Sequence, residues 1–260
     1  MATNSVSAAV PLTDAELCEP GCARQLLGSL VAARPPHRGH HAGLNPHDLA
    51  ALDAAGVRET RAAGMRVVAS DPGCLPLLVV VLRGAVALGR EVGDQRVVTE
   101  VVGPAAVVAG GTAADARALT PVEVLTVAAD AFGMHVRRSP RTATAVVAAL
   151  MQRLEVADAE RAAAAQLATP ERVAGALIRL CETFGRATCD GIVIDLPLTQ
   201  DELGGLACAS RKTTASALRQ LRALGAVTTS RRRIVVRDAG ALRRLSRHVP
   251  STPSYRKDHS

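Results

Sequence analysis

Val, Leu and Ala recur along this chain with two different periods, and the change of period divides it. Between Gly64 and Val127 the segments GMRVVA, LLVVVLRGAVALG, QRVVTEVV and VEVLTV are Val-rich runs broken by Gly, Pro and Asp. Such short runs with turn residues between them predict strands. Arg83-Gly84 lies between two apolar runs and predicts a hairpin turn. Several strands at this spacing predict a small antiparallel barrel or roll. From Ser139 the period becomes helical. Val147, Leu150, Leu154 and Ala157 follow a 3-4-3 spacing, and Ser139-Pro140 starts the run. That spacing fits a coiled-coil seam between two chains; it also fits an amphipathic helix packed on the roll. A length near 28 residues, to about Ala168, favours the dimer helix.

Before the strands, Asn45-Pro46 predicts a helix start, with Asn as cap, Asp48 near the first turn, and Leu49 and Leu52 on one face. Residues 1–43 read as an irregular extension rich in Pro, Gly and His, with a short helix over Leu12 to Leu30. Thr169-Pro170 stops the long helix and starts another, Glu171 to Phe184, with Val173, Leu177 and Leu180 apolar.

The stretch TQDELGGLACASRKTTASALRQLRALG, Thr199 to Gly225, carries the sharpest signal. Thr199 and Glu202 have capping-box spacing. Leu203, Leu206 and Ala207 face a core. Ser210 caps a second helix in which Leu218, Leu221 and Leu224 are expected to be buried, and Gly225 stands at its C-terminal stop. Arg211, Lys212, Thr213, Ser216, Arg219 and Gln220 then face outward. A helix with an apolar back and a front of hydrogen-bond donors suits a major groove. AVTTSRRRIVVRD follows: Val227 to Ser230 and Ile234 to Val236 predict two strands, with Arg231, Arg232 and Arg233 at or near their turn. Helix, turn, helix and basic hairpin make a winged helix-turn-helix.

Charge agrees. Net charge is +7. Residues 169–260 hold 16 Lys and Arg against 8 Asp and Glu, while residues 1–168 hold 15 against 16. The excess sits in the predicted DNA-binding part, where it can replace phosphate counterions. Aromatic residues are only 1% of the chain, which argues against base stacking on single strands. No P-loop, G-x-S-x-G, H-E-x-x-H or close acid pair occurs, so no enzyme is predicted. No apolar run reaches about 18 residues and the first twenty residues lack a basic, apolar leader, so a cytoplasmic protein without membrane contact is expected.

LTQDELGGLACASRKTTASALRQLRALGAVTTSRRRIVVRDAGAL resembles the DNA-binding domain of the Crp/Fnr regulators. GLNPHDLAALDAAG, AAGMRVVASDPG and LLVVVLRGAVALGRE resemble that family's β-roll. The resemblance spans about residues 43–248. It implies an α+β protein: an antiparallel, jelly-roll-like β-roll over 44–138, a dimerisation helix over 139–168 with Val147, Leu150, Leu154 and Ala157 in its seam, and a winged helix-turn-helix over 169–248. A disordered tail, 249–260, would follow. It implies a homodimer on a near-palindromic operator, with Thr199 and Ser210 on the DNA backbone, Arg211 on bases and phosphates, and RNA polymerase as a further partner. Lys212 and Ser216 depart from the family's Glu and Arg, so another half-site is expected. Cys208 replaces the family's turn glycine.

The family's cyclic-nucleotide members carry an FGE cassette and a phosphate-binding Arg. Here VVGPAAVVAGGTAADARALTPVEVLTV has no FGE, Thr112 falls near the Arg position, and Arg117 aligns with a strand residue. Cyclic-nucleotide binding is therefore not expected, and no cofactor is predicted. The lesser options are an iron–sulfur cluster through Cys18, Cys22 and Cys74, whose spacing does not fit a four-Cys cluster, or zinc or haem through His37, His40, His41 and His47. Cys181, Cys189 and Cys208 are expected in the core. The alternative function is a sensing or interaction module, redox-, metal- or partner-responsive, with only non-specific DNA association.

Overall fold

The computed structural model describes residues 46–67, 78–109 and 115–246. The Cys18, Cys22 and Cys74 thiols, the histidines before His47, Asn45, Thr112, the predicted helix over 12–30 and the tail lie outside these residues.

Helix α1 (Pro46–Asp53) leads into β1 (Val57–Arg61). Then come β2 (Leu78–Arg83), β3 (Val86–Val92), β4 (Gln95–Val102), β5 (Val107–Ala109), β6 (Asp115–Ala118) and β7 (Val122–Val127). They form two antiparallel sheets, ordered β1-β7-β2-β5 and β4-β3-β6. The expected roll is therefore present, with one correction. Arg83-Gly84 does not close a hairpin: β2 and β3 lie in different sheets, and Gly84, at φ +85°, turns the chain from one to the other. A Cβ there would press on Pro121 O and the Val122 and Thr120 side chains, so glycine is required by both conformation and space. The true hairpin joins β3 to β4 through Gly93-Asp94.

Alternation explains which face each residue takes. Val79, Val81, Val86, Leu88, Val102, Val108, Val122 and Val124 fill the space between the two sheets. Val80, Leu125 and Val127 point out of the first sheet and are covered by Leu52 of α1 and by Val146 and Ala149 of the long helix. Continuous apolar runs such as Leu78–Leu82 follow from this burial on both faces. Strand β1, VRETR, was not apparent in the sequence because its polar side chains are largely exposed at a sheet edge.

Helix α2 (Ala129–Arg138), also not predicted, precedes α3 (Pro140–Gln166), the long helix. Ser139 occupies its N-cap position without a side-chain capping bond. Helix α3 has two apolar faces. Thr142, Val146 and Ala149 are buried against the roll. Val147, Leu150 and Leu154 remain 54%, 36% and 56% exposed, with Ala157 half-buried further along. Arg153 lies between them. Its guanidinium grips the Glu100 carboxylate of β4 through Nε and Nη2, at 2.6 Å for Nη2, and donates to Val107 O at 2.8 Å.

The last third contains α4 (Thr169–Phe184), the hairpin β8 (Gly185–Thr188) and β9 (Gly191–Ile194), α5 (Gln200–Leu206), α6 (Arg211–Ala223), the hairpin β10 (Val227–Ser230) and β11 (Arg233–Val236), and α7 (Ala239–Ser246). Its four strands form one sheet, ordered β10-β11-β9-β8. Its core also contains roll residues: Ala85, Ala87, Val98, Val101 and Leu119 belong to one cluster with Leu177, Leu203, Leu206 and Leu221. The outer face of β3 and β4 is thus the floor on which the C-terminal part sits. Leu177 is fully buried in that cluster. Leu177→Ala is expected to cost about 2–5 kcal/mol of stability, read by denaturant titration, because a well-packed site collapses only partly around the void.

Candidate DNA interface

Helix α5 begins with the capping box predicted for it. Glu202 N–H donates to Thr199 Oγ1 at 3.1 Å, and Thr199 N–H donates to Glu202 Oε2 at 2.8 Å. Ser210 caps α6, accepting from Thr213 N–H at 3.3 Å. Between the helices only Ala207, Cys208, Ala209 and the cap Ser210 intervene. Cys208 adopts φ +49°, the left-handed conformation that a turn this short demands. Gly204 makes the turn possible in another way. A Cβ on it would come within 2.7 Å of Ala209 O and 2.9 Å of Thr214 Oγ1.

A third element, not foreseen from the sequence, holds the turn. Arg172 of α4 donates from Nε to Ala207 O at 2.8 Å, from Nη2 to Cys208 O at 3.2 Å, and from Nη1 to Leu167 O. A charged fork on the carbonyls that end α5 offsets their partial negative charge. The sequence signal was an Arg in the first turn of α4, directly before the buried Val173 and Ala174. Glu171 supplies half a capping box for α4, accepting from Ala168 N–H at 2.9 Å; Ala168 has no side-chain acceptor for the other half.

Helix α6 buries Thr214, Ala217, Leu218 and Leu221, the i, i+3, i+4, i+7 pattern of one helical face. Leu224 is not part of it. It is 64% exposed, because the helix ends at Ala223 and Leu224, in the C-cap, has turned off the buried stripe. Gly225 at φ +67° follows in the C′ position. Thr214 is buried because its hydroxyl is satisfied internally, donating to Ser210 O at 2.9 Å.

The outward side chains are Arg211, Lys212, Thr213, Arg219 and Gln220, all exposed, with Ser216 half-buried among them. Arg211 lies 3.7 Å from Asp201 but is 73% exposed, so the pair is weak and the guanidinium is available to another anion. Arg231 and Arg232 form the exposed tip of the β10–β11 hairpin, Arg232 at φ +62°. Arg233 departs from the expected group. It opens β11, is half-buried, and its Nε is enclosed with no hydrogen-bond partner among the described residues. Arg222, which the sequence reading had not selected, donates to Thr229 Oγ1 at 3.2 Å and links α6 to the hairpin. One helix face and one hairpin tip thus present cations and hydroxyls with no acid on α6 to cancel them.

The remaining candidates separate. His47 is exposed in the first turn of α1. Among the described residues no group of three or more His, Cys, Asp or Glu could hold a metal ion. Arg117 lies in β6, a strand residue as expected. Of the three cysteines placed in the core by the sequence, only Cys181 is there; Cys189 and Cys208 are exposed. Both lie in turns, where a small side chain is tolerated for conformation and not for packing.

A two-helix reading unit with a basic wing, built on a β-roll and a long helix, defines the class: a DNA-binding regulator. Comparison with known proteins narrows it. Residues 171–245 match the Crp-like helix-turn-helix domain. A CRP-like cAMP-activated global transcriptional regulator of Mycobacterium tuberculosis is 25% identical over 178 residues, 65% of this chain and 80% of that protein. Among solved structures, CooA of Carboxydothermus hydrogenoformans, in a mutant form, superposes with a TM-score of 0.64 at 16% identity, over 85% of this chain and 95% of its own. A CRP/FNR-family transcriptional regulator of Thermus thermophilus gives 0.63 at 21% identity, over 74% and 98%. Residues 171–245 are thus a Crp-like helix-turn-helix domain, and the described fold as a whole resembles that of the CRP/FNR regulators.

Burial pushes the Cys181 thiol up to about 12, with Glu182 adding to the shift. The raised value keeps the thiol protonated across the neutral range, so its thiolate is scarce. Iodoacetamide at pH 8 is expected to modify Cys189 and Cys208 in the folded protein and to spare Cys181 until denaturant is added. Peptide mass spectrometry reads the order; early labelling of Cys181 would contradict the packing described.

Proposed function

We propose that this chain acts as a homodimer that reads a near-palindromic operator, with α6 of each protomer in the major groove and without control by a cyclic nucleotide. The observation that carries the reading is the outward face of α6. Its cations are exposed, its apolar back is fully packed, and both helices are capped by Thr199 and Ser210, whose N-terminal turns can also meet phosphates. Arg211, Lys212 and Ser216 contact base edges, and Thr213, Arg219, Gln220, Arg231 and Arg232 hold the backbone and flanking groove, with Arg233 bracing the wing.

Dimerisation is supported by the second apolar face of α3. Val147, Leu150 and Leu154, with Met151 58% exposed beside them, line up on the side away from the roll. A second copy of the same helix would cover them in an isologous seam. Two copies would give two reading helices and hence a two-fold operator. Ligand independence is supported by residues 103–118, which lack the FGE cassette, and by Arg153. This side chain already ties α3 to β4 and β5, a bridge that needs no small molecule. RNA polymerase contact is carried over from the family alone.

Purified, ligand-free protein is expected to select one near-palindromic site from genomic fragments, and Arg211→Ala to lose that selection while folding normally. With about six phosphates neutralised, affinity is expected to fall on the order of 10³-fold between 50 and 200 mM salt. Sequence-blind binding by the unmodified protein would favour the interaction-module alternative. Separately, Leu150→Glu combined with Leu154→Glu is expected to turn the dimer into a monomer in sedimentation. An unchanged mass would place the interface elsewhere.

A further inference from the structure

The corner between α2 and α3 carries a charge that folding does not call for. No Asp or Glu occurs between Asp130 and Glu155. Arg137 and Arg138 end α2, and Arg141 lies in the first turn of α3. All three are exposed, and none of their guanidinium groups has an ion pair or hydrogen bond among the described residues. Cations at the end of α2 suit its macrodipole. Arg141 does not suit that of α3: it meets the positive end, where an acid would be favourable and none is present. Three like charges so near in the chain also repel one another. The arrangement becomes favourable when an anion covers it.

Hydrogen bonds brace this corner. Thr142, 1% exposed, has its Oγ1 at 3.1 Å from Ser139 Oγ and 3.3 Å from His135 Nε2. Ser139 N–H donates to His135 O at 2.9 Å. These contacts tie the last turn of α2 to the first turn of α3. Ala131 and Phe132 seat α2 on the cluster that holds Leu52 and Val146. The three arginines therefore project from one fixed bend.

Its place in the molecule narrows the choice of anion. Helix α3 spans 27 residues, about 40 Å, and α4 follows its far end. The winged domain is at that far end too, where Val156 and Glu160 of α3 border a small pocket with Leu180 and Leu206. An operator held by α6 lies there, so the corner meets something else. In the proposed dimer, both reading helices reach one operator only when the two α3 helices run parallel. Both corners then come together at the opposite end, with three arginines from each protomer. A protein interface is built around an apolar core, yet α2 exposes one large apolar side chain, Met134. A duplex asks for cations along its phosphates and nothing apolar.

We infer that this paired corner is a second, sequence-blind DNA site, and that the dimer bridges its operator to another duplex. The inference rests on the dimer and on the reading of α6 as the operator-contacting helix.

The test uses the full chain. Unmodified protein is bound to a bead-held operator duplex, free protein is washed away, and a labelled duplex of unrelated sequence is added at about 50 mM salt. Capture of the labelled duplex is expected. The variant with Arg137→Ala, Arg138→Ala and Arg141→Ala is expected to match the unmodified protein in operator affinity, read by fluorescence anisotropy, and to capture at least about tenfold less labelled duplex. Equal capture by the variant overturns the inference, as does the absence of capture by operator-bound unmodified protein; both leave the reading of α6 standing. If neither protein selects an operator, that reading fails and the inference fails with it. A second measurement needs no variant. Phenylglyoxal labelling of operator-bound protein, read by peptide mass spectrometry, is expected to fall at Arg137, Arg138 and Arg141 when the unrelated duplex is added. Protection by the operator alone means that one duplex wraps to the corner. Protection by polyglutamate and not by duplex means an acidic protein partner. Either result overturns bridging, even if the variant fails to fold.

Discussion

The outer face of β3 and β4 is the surface on which the molecule is assembled. Ala85, Ala87, Val98 and Val101 point away from the interior of the roll and into the core of the winged domain. They are small, so α4 and α5 come close, and at Gly205 the approach becomes backbone on backbone. A strand buried on both faces must be apolar at consecutive positions. That requirement accounts for the unbroken VAL of β3. A charged or large residue at Ala85 or Ala87 would separate two parts that share a single core.

The long helix serves both halves because its two faces are specialised differently. The face toward the roll is apolar and small at Thr142, Val146 and Ala149, then charged at Arg153, whose partner Glu100 is supplied by β4. Partly buried pairs of this kind fix geometry more than they add stability, since each ion gives up hydration to meet the other. The opposite face has no partner among the described residues. Its exposed Val147, Leu150, Met151 and Leu154 represent an unfavourable surface for an isolated chain, which is the physical ground for placing a second copy there.

In the reading unit, packing and recognition use different residues of the same helix. Leu218 and Leu221 anchor α6, Thr214 closes it on Ser210, and Arg172 steadies the carbonyls of the preceding turn. None of these touches the outward face. Operator preference can therefore change through Lys212, Ser216 or Arg219 without disturbing the fold. The left-handed Cys208 shows how strongly the turn is constrained: two caps and the Arg172 fork fix both ends, and the residue between them accepts the unfavourable conformation.

Local signals determined the winged helix-turn-helix. Caps at Thr199 and Ser210, the stop at Gly225 and the helical recurrence of Leu218 and Leu221 act within a few residues, so the sequence carries them directly. The Val-rich strands and the 27-residue helix were legible for the same reason. Pairing was not. Arg83-Gly84 resembles a hairpin in sequence, yet β2 pairs with β7 and β3 with β6, both further along the chain, so the two strands enter different sheets. Leu224 followed the leucine spacing but lies beyond the helix end, and Cys189 and Cys208 resemble core thiols but occupy turns. The role of Gly205 was the least visible. In sequence it is only a helix-weakening glycine; tertiary structure alone brings Val98, more than a hundred positions earlier, against its backbone.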